Sequence, residues 1–274
     1  MKMRTLVALG ALTLVGVTGC ADLEVQNPNA PDADRALATP GDVESLIGGS
    51  FRNWWNSSSS FNSISPILSV ASFQHSAYPA NFGMVQYSAF PRPAIINDPA
   101  NQFYIHFGNP FTWNFRAVAA VVDGLGAIDA GTVTLPAERE ARAKAFGYFV
   151  LGLAHGTVAI LYDQGYIYDP SIDRENVELR PYNEVMDAAL GYFDQAIQYA
   201  QGQNFSIPSS WMSRETSAAD LVRISHSMKA RYRAAVARTP AERDAVNWNA
   251  VIADVDAGVQ STWQMNLDYT NWWS

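Results

Sequence analysis

Residues 181–202 read PYNEVMDAALGYFDQAIQYAQG, and this stretch has the clearest helical pattern in the chain. Its apolar side chains recur at alternating steps of three and one, which places them on one face of an α-helix. Pro181 opens the stretch and Gly202 closes it, as expected for a helix start and end. The stripe consists of Val185, Ala188, Ala189, Tyr192, Phe193, Ala196, Ile197 and Ala200. The sequence therefore predicts an amphipathic helix that packs against other elements.

Six more helices are predicted around this one, while strand signals are almost absent. Thr39, Ser217 and Asn247 precede three of them as caps. The six run from Pro40 to a break at Ser57–Ser60, from Pro66 to about His75, from Phe111 to Ile128, from Pro136 to Tyr162, and onward from Ser217 and from Asn247. Short loops between long helices favour antiparallel pairs that stack in a tetratricopeptide-like way. The predicted fold class is all-α, with irregular aromatic-rich loops, above all over residues 76–110.

The N-terminus has the pattern of an export signal. Lys2 and Arg4 precede an uncharged, mostly apolar stretch, Thr5–Val17, that is too short to span a bilayer. Small residues before Cys20 resemble the lipobox of bacterial lipoproteins, in which the cysteine is lipidated. We therefore expect a signal peptide over 1–19, a lipidated tether over 20–38 and a helical domain over 39–274. The alternative is an ordinary secretory signal with a chance cysteine.

The net charge of the chain limits the classes of molecule that it is expected to bind. It has 18 basic and 26 acidic residues, a net charge of −8. Removal of Lys2 and Arg4 with the signal leaves 16 against 26, about −10. An acidic surface argues against nucleic acid as the main partner. Apart from the signal, no stretch is expected to span a membrane, so the lipid is the predicted anchor.

Exposed aromatic side chains next to amides are typical of sites that bind sugars, because a ring stacks on the C–H face of the sugar. Trp54 lies on the apolar stripe of its helix, so we expect it in the core. The candidate ligand-binding residues are Trp55, Asn56, Tyr78, Asn81, Tyr87, Trp113 and Trp211. For each of them the alternative is packing against the helices.

No motif in the sequence indicates catalysis or a cofactor. Glu138 and Glu140 lie two apart and face different sides of a helix, and the four histidines have no metal-ligand spacing. His155 lies in an apolar helix, where a hydrogen-bonded core histidine is expected. The sequence predicts no enzyme, no cofactor and no metal site. An alternative is a glycan-cleaving lipoprotein whose acid and base come from distant segments.

Several stretches resemble the SusD/RagB family of nutrient-binding outer-membrane lipoproteins. The likeness is carried by four groups of residues. They are spread over nearly the whole mature chain and form a loose pattern of similar residues, not a strict signature. They are Cys20 with Asp22–Val25, Asn27–Pro28 and Thr39–Val43; the helix Glu138–Phe149 with the turn Leu161–Gly165; Pro181–Val185 with Phe193–Ile197; and Met228–Arg231 with Trp248–Ile252. Members are commonly longer, so the chain looks like their N-terminal part, which makes it either a short member or a truncated one.

This resemblance implies a non-enzymatic role in nutrient uptake. Such proteins sit on the outer face of the outer membrane, over a TonB-dependent porin of the SusC type, so the resemblance implies that location for this chain. They hold an oligosaccharide or oligopeptide and close it into the porin. The sequence thus predicts a cell-surface lipoprotein that delivers one of these ligands to such a porin. The alternative is a helical-repeat scaffold lipoprotein that binds other envelope proteins.

Overall fold

The structure is a computed structural model that describes residues 37–60, 62–77 and 83–265. The predictions for Cys20, the signal peptide, most of the tether, Tyr78 and Asn81 lie outside the described residues. Helix makes up 63% of the structure and strand 4%. The predicted all-α class with packed helix pairs is therefore confirmed.

The elements follow one another with mostly short connections. The helices are α1 (Pro40–Ser59), α2 (Ser65–Ala71), α3 (Met84–Ser88), α4 (Ile105–Asp129), α5 (Ala137–Leu161), α6 (Tyr182–Ala200), α7 (Ser209–Met212), α8 (Ala218–Ala235), α9 (Pro240–Ala245) and α10 (Trp248–Asp256). The strands form two antiparallel pairs: β1 (Gln164–Tyr166) with β2 (Leu179–Pro181), and β3 (Ser206–Ile207) with β4 (Thr216–Ser217).

The helix starts follow from the caps that the sequence offers. The hydroxyls of Thr39 and Ser217 accept from the main-chain N–H of Asp42 and Asp220, and the Asn247 side chain accepts from Ala250. Each bond satisfies a donor that the first helical turn leaves unpaired. A capping box of Thr239 with Glu242 starts the short α9, a helix that was not predicted.

α5 is the central helix, and every residue from Phe149 to Ala159 is buried. Its neighbours α4 and α6 run antiparallel to it. Gly147 contacts Leu125 of α4 near one end and Phe115 meets His155 near the other. On the opposite side, Gly152 lies against Phe193 of α6. The predicted stripe of α6 is turned toward this contact.

α1 and α8 complete the main core around α5. Phe51 of α1 stacks on Phe149 with ring centroids 6.5 Å apart, and the Trp54 indole N–H donates to Thr157 Oγ1 at 2.9 Å. This placement is consistent with the packing role expected for Trp54. From α8, the hydroxyl of Tyr232 donates to the carbonyl of Leu153 at 3.1 Å. α10 then packs on the outer side of α8.

A second, smaller core lies under α2 and α3, and here the sequence-based boundaries were wrong. The segment 76–110 is not wholly irregular, because it contains α3 and the first turns of α4. The predicted start at Phe111 was too late, because α4 begins at Ile105 and contains Pro110, a residue that normally costs a helix one hydrogen bond. α1 continues through Ser57, whose hydroxyl donates to the carbonyl of Trp54, and α2 stops at Ala71. This core consists of Ile64, Ile67, Val70, Tyr87 and Phe107.

By length and composition, α5 could cross a membrane. The expectation that the chain has no such stretch after the signal was therefore wrong by that criterion. However, 78% of its most apolar window is buried inside the protein, which is how the core helix of a folded domain appears. The apolar character of α5 is accounted for by its packing partners on all sides.

Candidate ligand-binding groove

An open aromatic groove of about 450 Å³ lies between α4 and the segment that follows α5. Phe111 and Phe115 are one turn apart on α4, so their rings lie on the same face. Tyr166 and Tyr168 alternate along an extended stretch, which brings both to one side. The groove is lined by Phe111, Thr112, Phe115, Arg116, Ala119, Tyr166, Tyr168, Arg174 and Val177.

The aromatic rings form a continuous apolar floor. The centroids of Phe111 and Phe115 are 4.7 Å apart, and Tyr166 meets Phe115 edge-on at 5.2 Å. Tyr162 supports Phe111 from below at 5.2 Å. The four rings that line the groove, those of Phe111, Phe115, Tyr166 and Tyr168, are all partly exposed. The groove therefore offers flat aromatic faces at the surface and not a closed cavity.

Main-chain pairing holds the tyrosine wall of the groove in place. Strand β1 pairs with β2 so that Tyr166 lies opposite Leu179. The main-chain N–H of Tyr168 donates to Nε2 of His155 at 3.3 Å. One residue further on, the Tyr192 hydroxyl donates to Asp169 Oδ2 at 2.9 Å. The wall is thus bonded to α5 and α6, the most deeply packed pair.

His155 is fully buried beneath this wall, between Phe115 and Tyr192. Its Nδ1 is 2.8 Å from the carbonyl of Leu151 and donates to it, so Nε2 is the acceptor for Tyr168. Burial lowers the pKa of His155 to about 4. The imidazole is therefore neutral at pH 7. Its burial with both nitrogens hydrogen-bonded confirms the core histidine predicted from the sequence.

Arginine side chains flank the aromatic floor. The guanidinium of Arg174 lies 5.9 Å from the Tyr168 ring centroid, donates to the Tyr168 hydroxyl at 3.2 Å and pairs with Asp123 at 2.7 Å. Arg116 lines the groove one turn along α4 from Thr112 and is exposed. Together with the tyrosine hydroxyls, these groups supply hydrogen-bond donors around a stacking surface.

The predicted site residues on α1 and α4 lie outside the groove. Trp55 is half-buried and packs edge-on against Trp54 at 6.2 Å, and Asn56 is half-buried beside it in α1. Trp113 is on α4, half-buried, but is not among the residues that line the groove. Of the predicted residues that the structure describes, none lines the groove.

Two of the predicted ligand residues have the surroundings of core side chains. Tyr87 is 5% exposed and meets Phe107 edge-on at 5.8 Å. Trp211 is 8% exposed, 5.2 Å from Phe146, with its indole edge against Gly48. These positions favour the packing alternative for both rings, because little of either surface is left for a ligand.

The groove residues carried a weak signal in the sequence. Phe111 and Phe115 have the spacing of a helix stripe and so resemble core residues, while Tyr166 and Tyr168 follow the Leu161–Gly165 turn. Only the fold brings these two segments together. A search for aromatic pairs in loops after long helices would have found the tyrosines.

A second cleft, of about 270 Å³, lies between α6, α8 and α9. Tyr182 at its edge donates to Glu242 Oε1 at 2.6 Å and lies under the guanidinium of Arg238, 3.8 Å from the ring centroid. The hydroxyl and the ring face of Tyr182 therefore both have partners within the chain. Within residues 37–60, 62–77 and 83–265, no three His, Cys, Asp or Glu side chains are grouped as a metal site requires.

Comparison of the chain with protein-family models, with curated proteins and with solved structures gave no match. The resemblance to the SusD/RagB family therefore stays a prediction from the sequence.

Proposed function

We propose that this chain is a cell-surface lipoprotein that captures an oligosaccharide, or an oligopeptide, and delivers it to a TonB-dependent outer-membrane porin. The aromatic groove is the observation that carries the binding part of this proposal. The lipid anchor and the porin follow from the N-terminal sequence and from the family resemblance. Binding without turnover is the expected activity.

The chemistry of the groove suits a sugar. Pyranose rings present flat C–H faces that stack on aromatic rings, while their hydroxyls need hydrogen-bond donors and acceptors at the rim. Here Phe115 and Tyr166 supply the faces, and the Tyr168 hydroxyl and Arg174 supply the polar partners. An aromatic or proline-rich peptide could use the same surfaces, which is why the peptide remains in the proposal.

Calorimetry on the full chain with a panel of glycans and peptides tests the binding activity. Tyr168→Ala removes one wall of the groove, so we expect it to weaken binding of any ligand found by about tenfold. The matched control is Tyr199→Ala, which removes a half-buried tyrosine that stacks on Tyr148 away from the groove. An absence of heat with every ligand, or equal losses in the two variants, would contradict the proposal.

Two further measurements test attachment and delivery. Mass spectrometry of Cys20 and membrane fractionation of Cys20→Ser examine the anchor, and the variant is expected to leave the membrane. Purification from solubilised membranes examines the partner. A co-purifying TonB-dependent porin would support delivery.

A helical-repeat scaffold is the second candidate, and the outer face of α10 favours it. Trp248, Ile252 and Val255 lie at helical spacing on that face and are about half exposed. An exposed apolar stripe at helical spacing is suited to packing against a helix of another protein. Recovery of envelope-assembly proteins in place of a porin would favour this candidate.

A further inference from the structure

A third cleft, of about 360 Å³, lies beside the first turns of α8 and is separate from the aromatic groove. Its walls come from α8, from the turn between α7 and β4, and from the chain that follows α10. The residues that line it include Arg214, Asp220, Arg223, Ser261, Thr262 and Trp263. Two guanidinium groups therefore lie at one cleft of a chain whose net charge is −8.

Both guanidinium groups keep hydrogen-bond donors that a ligand can use. Arg223 donates through Nη1 to Asp220 Oδ1 at 2.8 Å, and Arg214 donates through Nη1 to the carbonyl of Gln264 at 3.2 Å. In the described structure, Nε and Nη2 of both arginines have no hydrogen-bond partner. These two nitrogens form the edge of a guanidinium that binds both oxygens of a carboxylate in parallel. The cleft thus has two such edges in reserve.

The partners of the two arginines are themselves fixed in place. Asp220 is bonded to the cap of its own helix, because its main-chain N–H donates to Ser217 Oγ at 3.1 Å. The guanidinium of Arg214 lies 5.7 Å from the ring centroid of Trp263, and this ring packs against the main core. Such support lowers the entropy that is lost when a ligand orders the arginine side chains.

The charge of the lining favours an anion as the ligand. Of the described residues that line the cleft, Asp220 alone is acidic. Both of its oxygens already accept a hydrogen bond, Oδ1 from Arg223 and Oδ2 from the Ser217 hydroxyl. Glu215, at the same turn, accepts from the Ser206 hydroxyl at 2.8 Å and does not line the cleft. The lining therefore carries two positive charges and one negative charge.

We propose that this cleft binds an oxyanion, a carboxylate or phosphate group of a ligand, between the guanidinium edges of Arg214 and Arg223. The exposed hydroxyls of Ser261 and Thr262 are further donors at the rim. The indole of Trp263 supplies apolar surface beside them, which suits a carboxylate carried on a sugar ring. The site does not depend on what the aromatic groove binds.

Calorimetry on the full chain at low ionic strength tests the site with an oligogalacturonide, its methyl ester and inorganic phosphate. Low ionic strength is needed because salt screens exposed charges. The two glycans differ in whether their carboxylates are free, so we expect the ester to bind about tenfold more weakly. Binding of phosphate without the oligogalacturonide would assign the oxyanion to a phosphate, and the reverse would assign it to an acidic sugar. Binding of neither would overturn the proposal.

Arginine variants locate the bound oxyanion. Arg214→Gln and Arg223→Gln are each expected to weaken its binding by about tenfold. The matched control is Arg180→Gln, which changes the net charge equally and is expected to leave binding unchanged. Arg180 and Arg223 are both 52% exposed, and each pairs with a carboxylate on its own helix or beside it. An equal loss in the control, or equal binding of the free acid and its ester, would overturn the proposal.

Two further variants separate this site from its alternatives. Arg214→Lys keeps the charge but has no planar edge with two donors, so binding is expected to weaken by about threefold. Thermal unfolding of each variant checks that the fold is intact. A loss of oligogalacturonide binding in Tyr168→Ala, with none in the arginine variants, would place the acid in the aromatic groove. That result would overturn this proposal and leave the proposed function standing.

Discussion

The main-chain N–H of Tyr168 donates to Nε2 of His155, 3.3 Å away. Tyr168 is a wall of the aromatic groove and His155 is fully buried in α5. The bond therefore ties the surface that we propose for ligand binding to the centre of the core. It exists only while the imidazole is neutral, because a protonated Nε2 is a donor and cannot accept.

We predict that acid weakens the fold through His155. Burial lowers its pKa from 6.5 to about 4, so below pH 6.5 the unfolded chain binds a proton that the folded chain does not. The free energy of unfolding therefore falls as the pH drops from 6.5 to about 4, by a total of about 3 kcal/mol from this residue. Urea unfolding across this range measures the loss.

The variant His155→Gln isolates this contribution. It is expected to be less stable at pH 7 but to show a flatter dependence of stability on pH than the native chain. The matched control is His75→Gln, which changes an exposed histidine. Parallel pH curves for the native chain and His155→Gln would contradict the prediction.

Glu44 should make a large contribution to the contact between α1 and α5. Its buried carboxylate pairs with Arg142 at 2.7 Å and also with Arg139. Burial works to raise the pKa of Glu44, but the hydrogen bonds from the two arginines outweigh it and the pKa is lowered. Glu44→Gln leaves two partly buried cations without their anion, and we expect a loss of about 3 kcal/mol in chemical denaturation. Glu140→Gln, in a more exposed pair with Lys144, is the control and is expected to cost less than about 1 kcal/mol.

Replacing either of two adjacent glycines of α1 by alanine is predicted to change the free energy of unfolding, but in opposite directions. A Cβ at Gly48 would overlap the indole of Trp211, whereas a Cβ at Gly49 meets nothing within 4 Å. Gly48→Ala is therefore expected to destabilise by about 1–3 kcal/mol, since the overlap forces the ring or the helix to move. Gly49→Ala is expected to stabilise by up to about 1 kcal/mol through helix propensity. Thermal unfolding of both variants measures this, and equal shifts would be inconsistent with the packing described.

Asp254 is predicted to fix α10 to α8. Its buried carboxylate accepts from His226 at 2.8 Å and from Arg233 at 2.9 Å. Burial would raise the pKa of Asp254, but these hydrogen bonds and the charge of Lys229 lower it. Asp254→Asn is expected to raise hydrogen exchange over residues 248–256 while the exchange of α5 stays slow. The control is Asp256→Asn, an exposed position at the end of the same helix.

Local features of the fold could be predicted from the sequence where one residue type decides the outcome. Thr39, Ser217 and Asn247 cap the helices that they were expected to cap, and the stripe of α6 faces α5. Wrong boundaries arose where tertiary contacts override a local rule. The predicted start of α4 at Phe111 is one example, because packing of Phe107 in the second core keeps the preceding turn helical. This contact is not visible in the local sequence.

The candidate groove could not be predicted from the sequence for a related reason. Its rings come from α4 and from the segment after α5, about 50 residues apart. Trp211 follows Pro208 and two serines and so resembles an exposed loop residue, yet it fills space beside Gly48, far away in the chain. Aromatic composition predicts that stacking surfaces exist, but not which rings remain at the surface.

The central position of α5 has a consequence for how this chain unfolds. In an ordinary solenoid each repeat touches only its neighbours, and the array can fray from one end. Here a single helix contacts α1, α4, α6 and α8. Loss of any one of these partners exposes the helix on which the other three depend, so we expect the main body of the domain to melt in one cooperative transition.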